Sequence, residues 1–486
     1  MKHEKKTILV GLGPNALRTY VPYFIKYHID LRCVVEMESR VAEITELLKT
    51  HQLEAQIICV PEEDRNSREL SKTLADQLRE VIRFDLIEYA IINSEAKSHY
   101  SYLRFFMEEK LKILLEKPII APLKLETFGD VEHLAECHRQ ICELVDATQA
   151  QCAVMCQRRL HYGYELVKSI LRDAIHTYGI PITEIYLNHC DGNWMLPQDL
   201  FYENHPYQYG YGKLYHSGYH FVDLLAQLLS LNQCAAASKH PTQCSVSTDV
   251  HSVWDETAIM NETDLMRLFH TDSLLECPQS KNTALPLRMF GEKNIYSQLS
   301  FRNSEGKVIT VAQLSITQMG FSRRAWLHAR KDHYKGNGRI RHEYLNVQMG
   351  PLMNIRVSSY QSKEVHDRTF AEYTNGGLDH FDIEIFRNSD LIGGKPYQKL
   401  DYRDILNGRD SYGLNGLNEI SRVRMLERFF DDTISEVSDI RNHYLGMEIM
   451  HALTKGIIAH KHGMRSIDMI DLSHIFEQNR YSHEND

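Results

Sequence analysis

The opening sixteen residues, MKHEKKTILVGLGPNA, carry the feature that most constrains what this chain can fold into. The apolar run Thr7 to Val10 passes straight into GLGPNA, so Gly11, Gly13 and Ala16 stand in the spacing G-x-G-x-x-A between an expected strand and an expected helix. In that spacing Gly11 permits a tight turn, Gly13 lets the backbone approach a pyrophosphate, and the small Ala16 lets helix and strand pack closely. Pro14 suits a first helical turn, where a missing N–H costs little. An ordinary tight turn uses the same residues, so the motif gains its meaning from the strands and helices around it.

A second buried-looking strand, Leu31 to Val35, ends at Glu36, twenty residues after Ala16, where a carboxylate can bond a ribose 2′-hydroxyl and repel a 2′-phosphate. Glu38 is the neighbouring alternative, and Glu36 also reads as a plain strand-end charge. The acidic residue favours NAD over NADP, with Arg40 close by pulling the other way. Further apolar runs at Gln56 to Val60, Leu86 to Ile92 and Lys112 to Leu115 alternate with amphipathic segments. Strand and helix alternation of this kind predicts a doubly wound parallel sheet, a Rossmann domain.

A length of 486 residues exceeds one ordinary core and predicts two or three domains. The 43% hydrophobic and 25% charged content is that of a globular chain, and no run reaches the ~20 apolar residues of a membrane span. A net charge of −10 argues against a nucleic-acid partner. Ten cysteines without a C-x-x-C pair, and a start too short in apolar residues for a signal peptide, predict a reducing, cytoplasmic setting.

Taken in order, GLGPNA, IINSEAKSH, ILLEKPI and GKLYHSGYHFVD resemble the Gfo/Idh/MocA oxidoreductases over about the first 230 residues. The resemblance implies a dehydrogenase in which Glu116, Lys117 and Pro118 sit by the nicotinamide. In this reading Lys117 holds the substrate oxygen and His220 relays the hydroxyl proton, which is the acid–base work that oxidising a secondary alcohol requires. It implies NAD or NADP as cofactor. It also implies a sugar, nucleotide sugar, cyclitol or related polyhydroxy substrate, and a homo-oligomer formed through an open sheet. An NAD-dependent glycosidase or epimerase-like enzyme, and a non-catalytic cofactor-binding sensor, are the alternatives. His99 matches a histidine of the family after its fourth strand, with a capping or packing role equally open. Arg159, with Arg158 and His161, lies where the family places substrate-facing residues.

In YGKLYHSGYHFVDLL, helical spacing puts His216, His220 and Asp223 on one stripe. Ser217 after His216 rules out the zinc-protease pattern H-E-x-x-H, and no metal is expected, although packed histidines or another metal set would share the spacing. The family usually carries Asp where His216 stands. That departure removes a negative charge beside His220 and predicts a lower pKa for it, with His216 turned to the substrate or a substrate anion supplying the charge. Tyr202, Tyr207, Tyr209, Tyr211, Tyr215 and Tyr219 crowd the same stretch, and Tyr211 and Tyr219 read either as sugar-stacking rings or as loop packing. Trp194 and Asp191 fall near the same cleft.

Strand patterns at Ile182 to Cys190, around the Ser304-Glu305-Gly306 turn, and at Ile340 to Met349, Asn354 to Tyr360 and His380 to Phe386 predict a large, mostly antiparallel sheet in a second, α+β domain. The polar stretch 231–286 reads as an insertion or mobile excursion, and Leu417 to His460 as helices. The expected division is 1–157, 158–416 and a closing helical segment 417–486, with a frayed tail from Asn479.

Overall fold

Six short apolar strands build the first sheet: β1 (Lys6–Val10), β2 (Asp30–Met37), β3 (Gln56–Val60), β4 (Tyr89–Ile92), β5 (Lys112–Leu115) and β6 (Cys152–Val154). The order is β3-β2-β1-β4-β5-β6, and every pairing is parallel. Helices α1 (Pro14–Tyr27), α2 (Val41–Thr50), α3 (Lys72–Asp85), α4 (His99–Glu108) and α5 (Phe128–Thr148) connect them. Both faces are thus covered, which is why β4 and β5 are buried almost end to end. The strand order reverses between β1 and β4, so the glycine turn after β1 lies at the switch point where such sheets bind ligands.

This computed structural model describes residues 5–191, 193–194, 206–270, 286–318, 322–323, 340–362, 380–414 and 416–473. The chain forms two units: Met1–Leu123 with Gly129–His161 and Leu417–Tyr444, and Lys124–Phe128 with Tyr162–Gly416 and Leu445–Asp486. The closing segment 417–486 is therefore not one block. Its first helix, Leu417–Phe430, joins the first unit's core through Met425, Leu426, Phe429 and Phe430. Tyr89 meets the Phe429 ring edge-on at 5.5 Å, and Tyr23 stacks on Phe430 at 5.9 Å. The remainder, including the strand Ile467–Asp471, belongs to the second unit.

The second unit is built on a nine-stranded sheet. Its strands are β7 (Glu184–Cys190), β9 (Gln243–Ser252), β10 (Glu292–Arg302), β11 (Val308–Thr317), β13 (Ile340–Met349), β14 (Met353–Ser362), β15 (His380–Arg387), β16 (Tyr397–Leu400) and β17 (Ile467–Asp471). They run in the order β16-β15-β14-β13-β7-β11-β10-β9-β17, antiparallel except for β7 with β11. Two-residue strands β8 (Asn193–Trp194) and β12 (Ser322–Arg323) pair separately. The hairpin between β10 and β11 turns where expected, with Gly306 at φ +78° and Asn303 Oδ1 accepting the Glu305 and Lys307 N–H groups.

Helices α6 (Tyr162–Tyr178) and α7 (Tyr219–Ser230) belong to this unit, and ten of the twelve residues of α7 are buried. The stretch 231–286 departs from its reading as an excursion. Gln243–Ser252 is an internal strand of the sheet, and Val253–Ile259 and Glu262–Phe269 are helices opened by capping boxes at Ser252 and Asn261. Only Cys244, Val246 and Ser252 of that strand are buried, and its Ser and Thr residues suit a pleated, half-exposed surface while diluting the apolar signal. Tyr202, the side chain of Trp194, residues 271–285 and the tail from Asn479 lie outside the described residues.

Candidate active site

The turn after β1 is held from both sides. Gly11 donates to the Val35 carbonyl at 2.9 Å, Asn93 donates its N–H to Val10 at 2.8 Å, and the Asn93 amide donates to the Gly11 carbonyl at 2.9 Å. Gly11 sits at φ +90°, and a Cβ there would lie 2.9 Å from Asn93 O and Ser94 N. Gly13 differs: a Cβ on it would meet nothing within 4 Å, and as N-cap of α1 it offers no side-chain acceptor to the helix's first N–H groups. Open space beside unclaimed helix-end donors is the arrangement that fits a pyrophosphate. Ala16 is fully buried.

Glu36 stands at the end of β2 beside this turn, buried to 7% exposure. Its carboxylate accepts the Leu12 N–H at 3.0 Å, the Met37 N–H at 3.0 Å and the Arg40 guanidinium at 2.7 Å. Arg40 also grips Glu43, while Glu38 is exposed. Glu36 rather than Glu38 therefore adjoins the glycine turn, and Arg40 occupies part of its hydrogen-bonding capacity.

The second motif, Glu116-Lys117-Pro118, follows β5. Glu116 accepts the Tyr20 hydroxyl at 2.7 Å and the Asn15 amide at 2.9 Å, tying α1 to the strand end. Burial, reinforced by the Glu116 charge, pushes the Tyr20 phenol well above its ordinary range, so it remains a donor. The Lys117–Pro118 peptide is cis. His99 lies beneath it: Nδ1 is 2.9 Å from Pro118 O, and Nε2 is 3.2 Å from Ser94 O. Burial lowers its pKa, and a neutral imidazole has one N–H to divide between these carbonyls. His99 thus joins the loop after β4 to the segment carrying Lys117.

In the second unit, the chain enters α7 through a π turn, Leu214–Gly218. The extra residue of a π turn breaks the expected stripe, and the two histidines part company: His216 is exposed, whereas His220 is buried to 6% exposure. Asp223 is fully buried and accepts the Gln227 amide at 2.7 Å. The neighbouring Phe221 stacks on His189 of β7 at 3.9 Å. The tyrosines pack inward: Tyr211 meets Tyr215 edge-on at 5.1 Å, Tyr215 shares a 2.8 Å bond with Thr454, the Tyr207 hydroxyl accepts from Gln318 at 2.7 Å, and Tyr219 is fully buried. This favours the loop-packing reading of Tyr211 and Tyr219.

Arg159, expected near substrate, donates at 2.9 Å to the carbonyls of both Val437 and Asn442 inside the first unit. Its guanidinium serves main-chain acceptors that a long, planar donor is well suited to reach.

Several groups escaped the sequence reading. Lys213 forms a buried ion pair with Asp191, a residue the sequence did place near the cleft, and Lys293 forms another with Glu256. Burial and the Arg341 charge push the Lys213 ammonium well below its usual range, against the pull of Cys190 and Glu292. Glu292 and Lys461, also buried, flank the entry to α7. A lysine or glutamate at an unmarked strand end or helix end reads as surface charge, and only the fold buries it. Among the described residues, no group of three His, Cys, Asp or Glu side chains is placed to hold a metal ion, and no helix is long and apolar enough to cross a membrane.

Residues 23–146 match the family GFO_IDH_MocA, described as an oxidoreductase family with an NAD-binding Rossmann fold. No curated protein sequence matches the chain. Among solved structures, an oxidoreductase domain protein from Kribbella flavida covers 95% of this chain and 98% of its own at a TM-score of 0.55 and 10% identity. An oxidoreductase from Agrobacterium radiobacter, solved with NAD+, L-tartaric acid and magnesium, covers 97% and 99% at 0.52 and 10% identity. The WlbA dehydrogenase from Chromobacterium violaceum, solved with NADH and UDP-GlcNAcA, covers 96% and 97% at 0.51 and 12% identity. At such identities the likeness is one of fold.

Proposed function

We propose, from the match of residues 23–146 to the GFO_IDH_MocA oxidoreductase family, that the chain is an NAD(P)-dependent enzyme acting on a secondary alcohol or ketone of a sugar, nucleotide sugar, cyclitol or related polyhydroxy compound. The observation that carries this reading is the turn at Gly11 to Ala16. Open space at Gly13, uncapped N–H groups of α1 and the Glu36 carboxylate converge there on what a dinucleotide offers. A bound nicotinamide would supply the hydride acceptor or donor. Glu36 would accept from a ribose hydroxyl, and its negative charge favours NAD over NADP. Lys117, flanked by the contacts of Glu116 on one side and the bond of His99 to Pro118 on the other, would hold the substrate oxygen and lower the hydroxyl pKa. His220 would relay the proton, a role its buried place on the first turn of α7 supports.

Neighbours of like fold solved with NAD+ or NADH, one with a nucleotide sugar, support the substrate and cofactor classes. Self-association through the second sheet belongs to the same reading. Tyr296, Tyr397, Ile467 and Met469 stand exposed on its strands, and light scattering of the purified protein tests it.

The direct test is thermal stabilisation by NAD(H) and NADP(H), followed by absorbance at the NADH band against a panel of polyhydroxy substrates. Binding with turnover is expected, and K117M and H220N should each lower kcat by about 10²- to 10⁴-fold while dinucleotide binding persists. Binding without turnover on any substrate would favour the sensor. Turnover without net NADH would favour the glycosidase or epimerase-like route.

A further inference from the structure

The entry to α7 is gripped by two buried ions of opposite sign. On one side, Lys461 donates to the Gly210 carbonyl at 2.5 Å and to the Leu125 carbonyl at 2.7 Å. On the other, Glu292, at the start of β10, accepts the Leu214 N–H at 2.7 Å through Oε1. Oε2 of the same carboxylate has no hydrogen-bond partner among the described residues. Glu292 is fully buried, and Lys461 is 3% exposed.

Between these two points the main chain has no freedom. A Cβ on Gly212 would lie 2.1 Å from Glu292 O, one on Gly291 would lie 2.2 Å from Tyr211 C and O, and one on Gly210 would lie 2.2 Å from Leu125 O. Gly291 N donates to Tyr207 O at 2.8 Å, and Leu125 N donates to Tyr209 O at 2.8 Å. The strap Tyr207 to Leu214 is therefore threaded, backbone against backbone, between β10 and the segment Lys124–Phe128, and it delivers the chain into the π turn that leads to His220.

We propose that Glu292 is a positioning residue for His220: its buried carboxylate fixes the start of the π turn, and the charge state of that carboxylate sets the orientation and proton affinity of the His220 imidazole. A carboxylate suits the place because the first N–H groups of a helix carry a partial positive charge and the Lys461 ammonium requires a counter-charge. The charged and titratable groups that face Glu292 are Lys213 and Tyr215 from the strap and turn, and Lys461 from the closing helix. Burial pushes the Glu292 carboxyl up to about 7, against the Leu214 N–H and the Lys461 charge, so the group changes state near neutrality.

The proposal rests on the reading of His220 as the proton relay, and its test separates the two. In protein labelled with ¹³C-histidine, the His220 signal is assigned by its loss in H220N and titrated in the wild type and in E292Q, an isostere that keeps the Leu214 bond and removes the charge. The expected result is a displaced His220 signal in E292Q, with its apparent pKa changed and the inflection near pH 7 gone. With a substrate in hand, kcat in E292Q should fall at least tenfold with KM within threefold, and the kcat profile should lose its limb near pH 7.

A His220 titration identical in wild type and E292Q overturns the clamp, even if the protein is an active dehydrogenase. A displaced signal in a protein that turns over no substrate supports the clamp and counts against the reading of function. E292D is the check against simple misfolding: it keeps the charge on a shorter arm and should recover the inflection, and two folded variants alike in every readout would also overturn the proposal.

Discussion

Gly11 and Gly13 are glycines for different reasons, and the difference is measurable. Gly11 is required by the protein itself, since its φ of +90° and the approach of Asn93 and Ser94 leave no place for a Cβ. Gly11→Ala should cost about 1–3 kcal/mol, the usual scale for a residue forced into a strained backbone conformation, and should lower the melting temperature with or without dinucleotide. Gly13 meets nothing within 4 Å, so Gly13→Val should melt within about 1 °C of the wild type, because a surface substitution that touches nothing changes little. It should nevertheless lose stabilisation by NAD(H). If Gly13→Val binds dinucleotide as tightly as wild type, the space beside it serves something else. Both residues were legible in the G-x-G-x-x-A spacing. Their separate reasons were not, because they depend on a loop at Asn93, far along the chain.

At the scale of elements, the sequence located the helix of His220 but mistook its geometry. Spacing of four implies a shared face only if the helix is α-helical throughout, and the π turn at Leu214–Gly218 exposes His216 while His220 stays buried. The strap that leads into this turn passes close beside β10. Gly212→Ala and Gly291→Ala would each drive a Cβ to within 2.2 Å of main-chain atoms. Each should destabilise the second unit by roughly 2–4 kcal/mol, as backbone clashes at buried positions do. Each should also lower kcat while leaving dinucleotide affinity within threefold, because every residue at the candidate dinucleotide turn lies in the first unit. Calorimetry of each variant with and without NADH checks both points, and an unaltered melt for Gly212→Ala would mean that the strap can move aside.

At the scale of the whole molecule, buried titratable groups of opposite sign shape the response to pH. Burial lowers the pKa of His99, His342 and His380. A histidine that holds its proton less tightly when folded contributes stability that is fully present above its ordinary pKa of about 6.5 and is lost as pH falls. Glu292 is raised to about 7 and works the other way, contributing stability at low pH that is lost as pH rises through that value. Below about pH 6.5 added protons favour the unfolded chain at His99, His342 and His380, and Glu292 alone of these four groups opposes them, so melting temperature should fall on acidification. E292Q removes the opposing group and should steepen the fall between pH 7 and pH 5. Thermal melts across that range decide it, and a flatter dependence in E292Q would contradict the sign.

What the sequence determined by itself is local or periodic. The strand runs, the glycine turn, the acid after β2 and the Glu-Lys-Pro tripeptide follow from residues near one another, whose patterns of period two and 3.6 record which face is buried. Tertiary structure decided what depends on residues distant in sequence. It drew Gln243–Ser252 into the sheet, because sheet pairing tolerates a strand with few apolar residues once its neighbours are in place. It divided the closing segment between two units and turned Arg159 to main-chain carbonyls. It also buried Lys213, Glu292 and Lys461, whose charges are indistinguishable from surface charges in a sequence, because the cost of burying an ion is decided by the partner the fold brings to it.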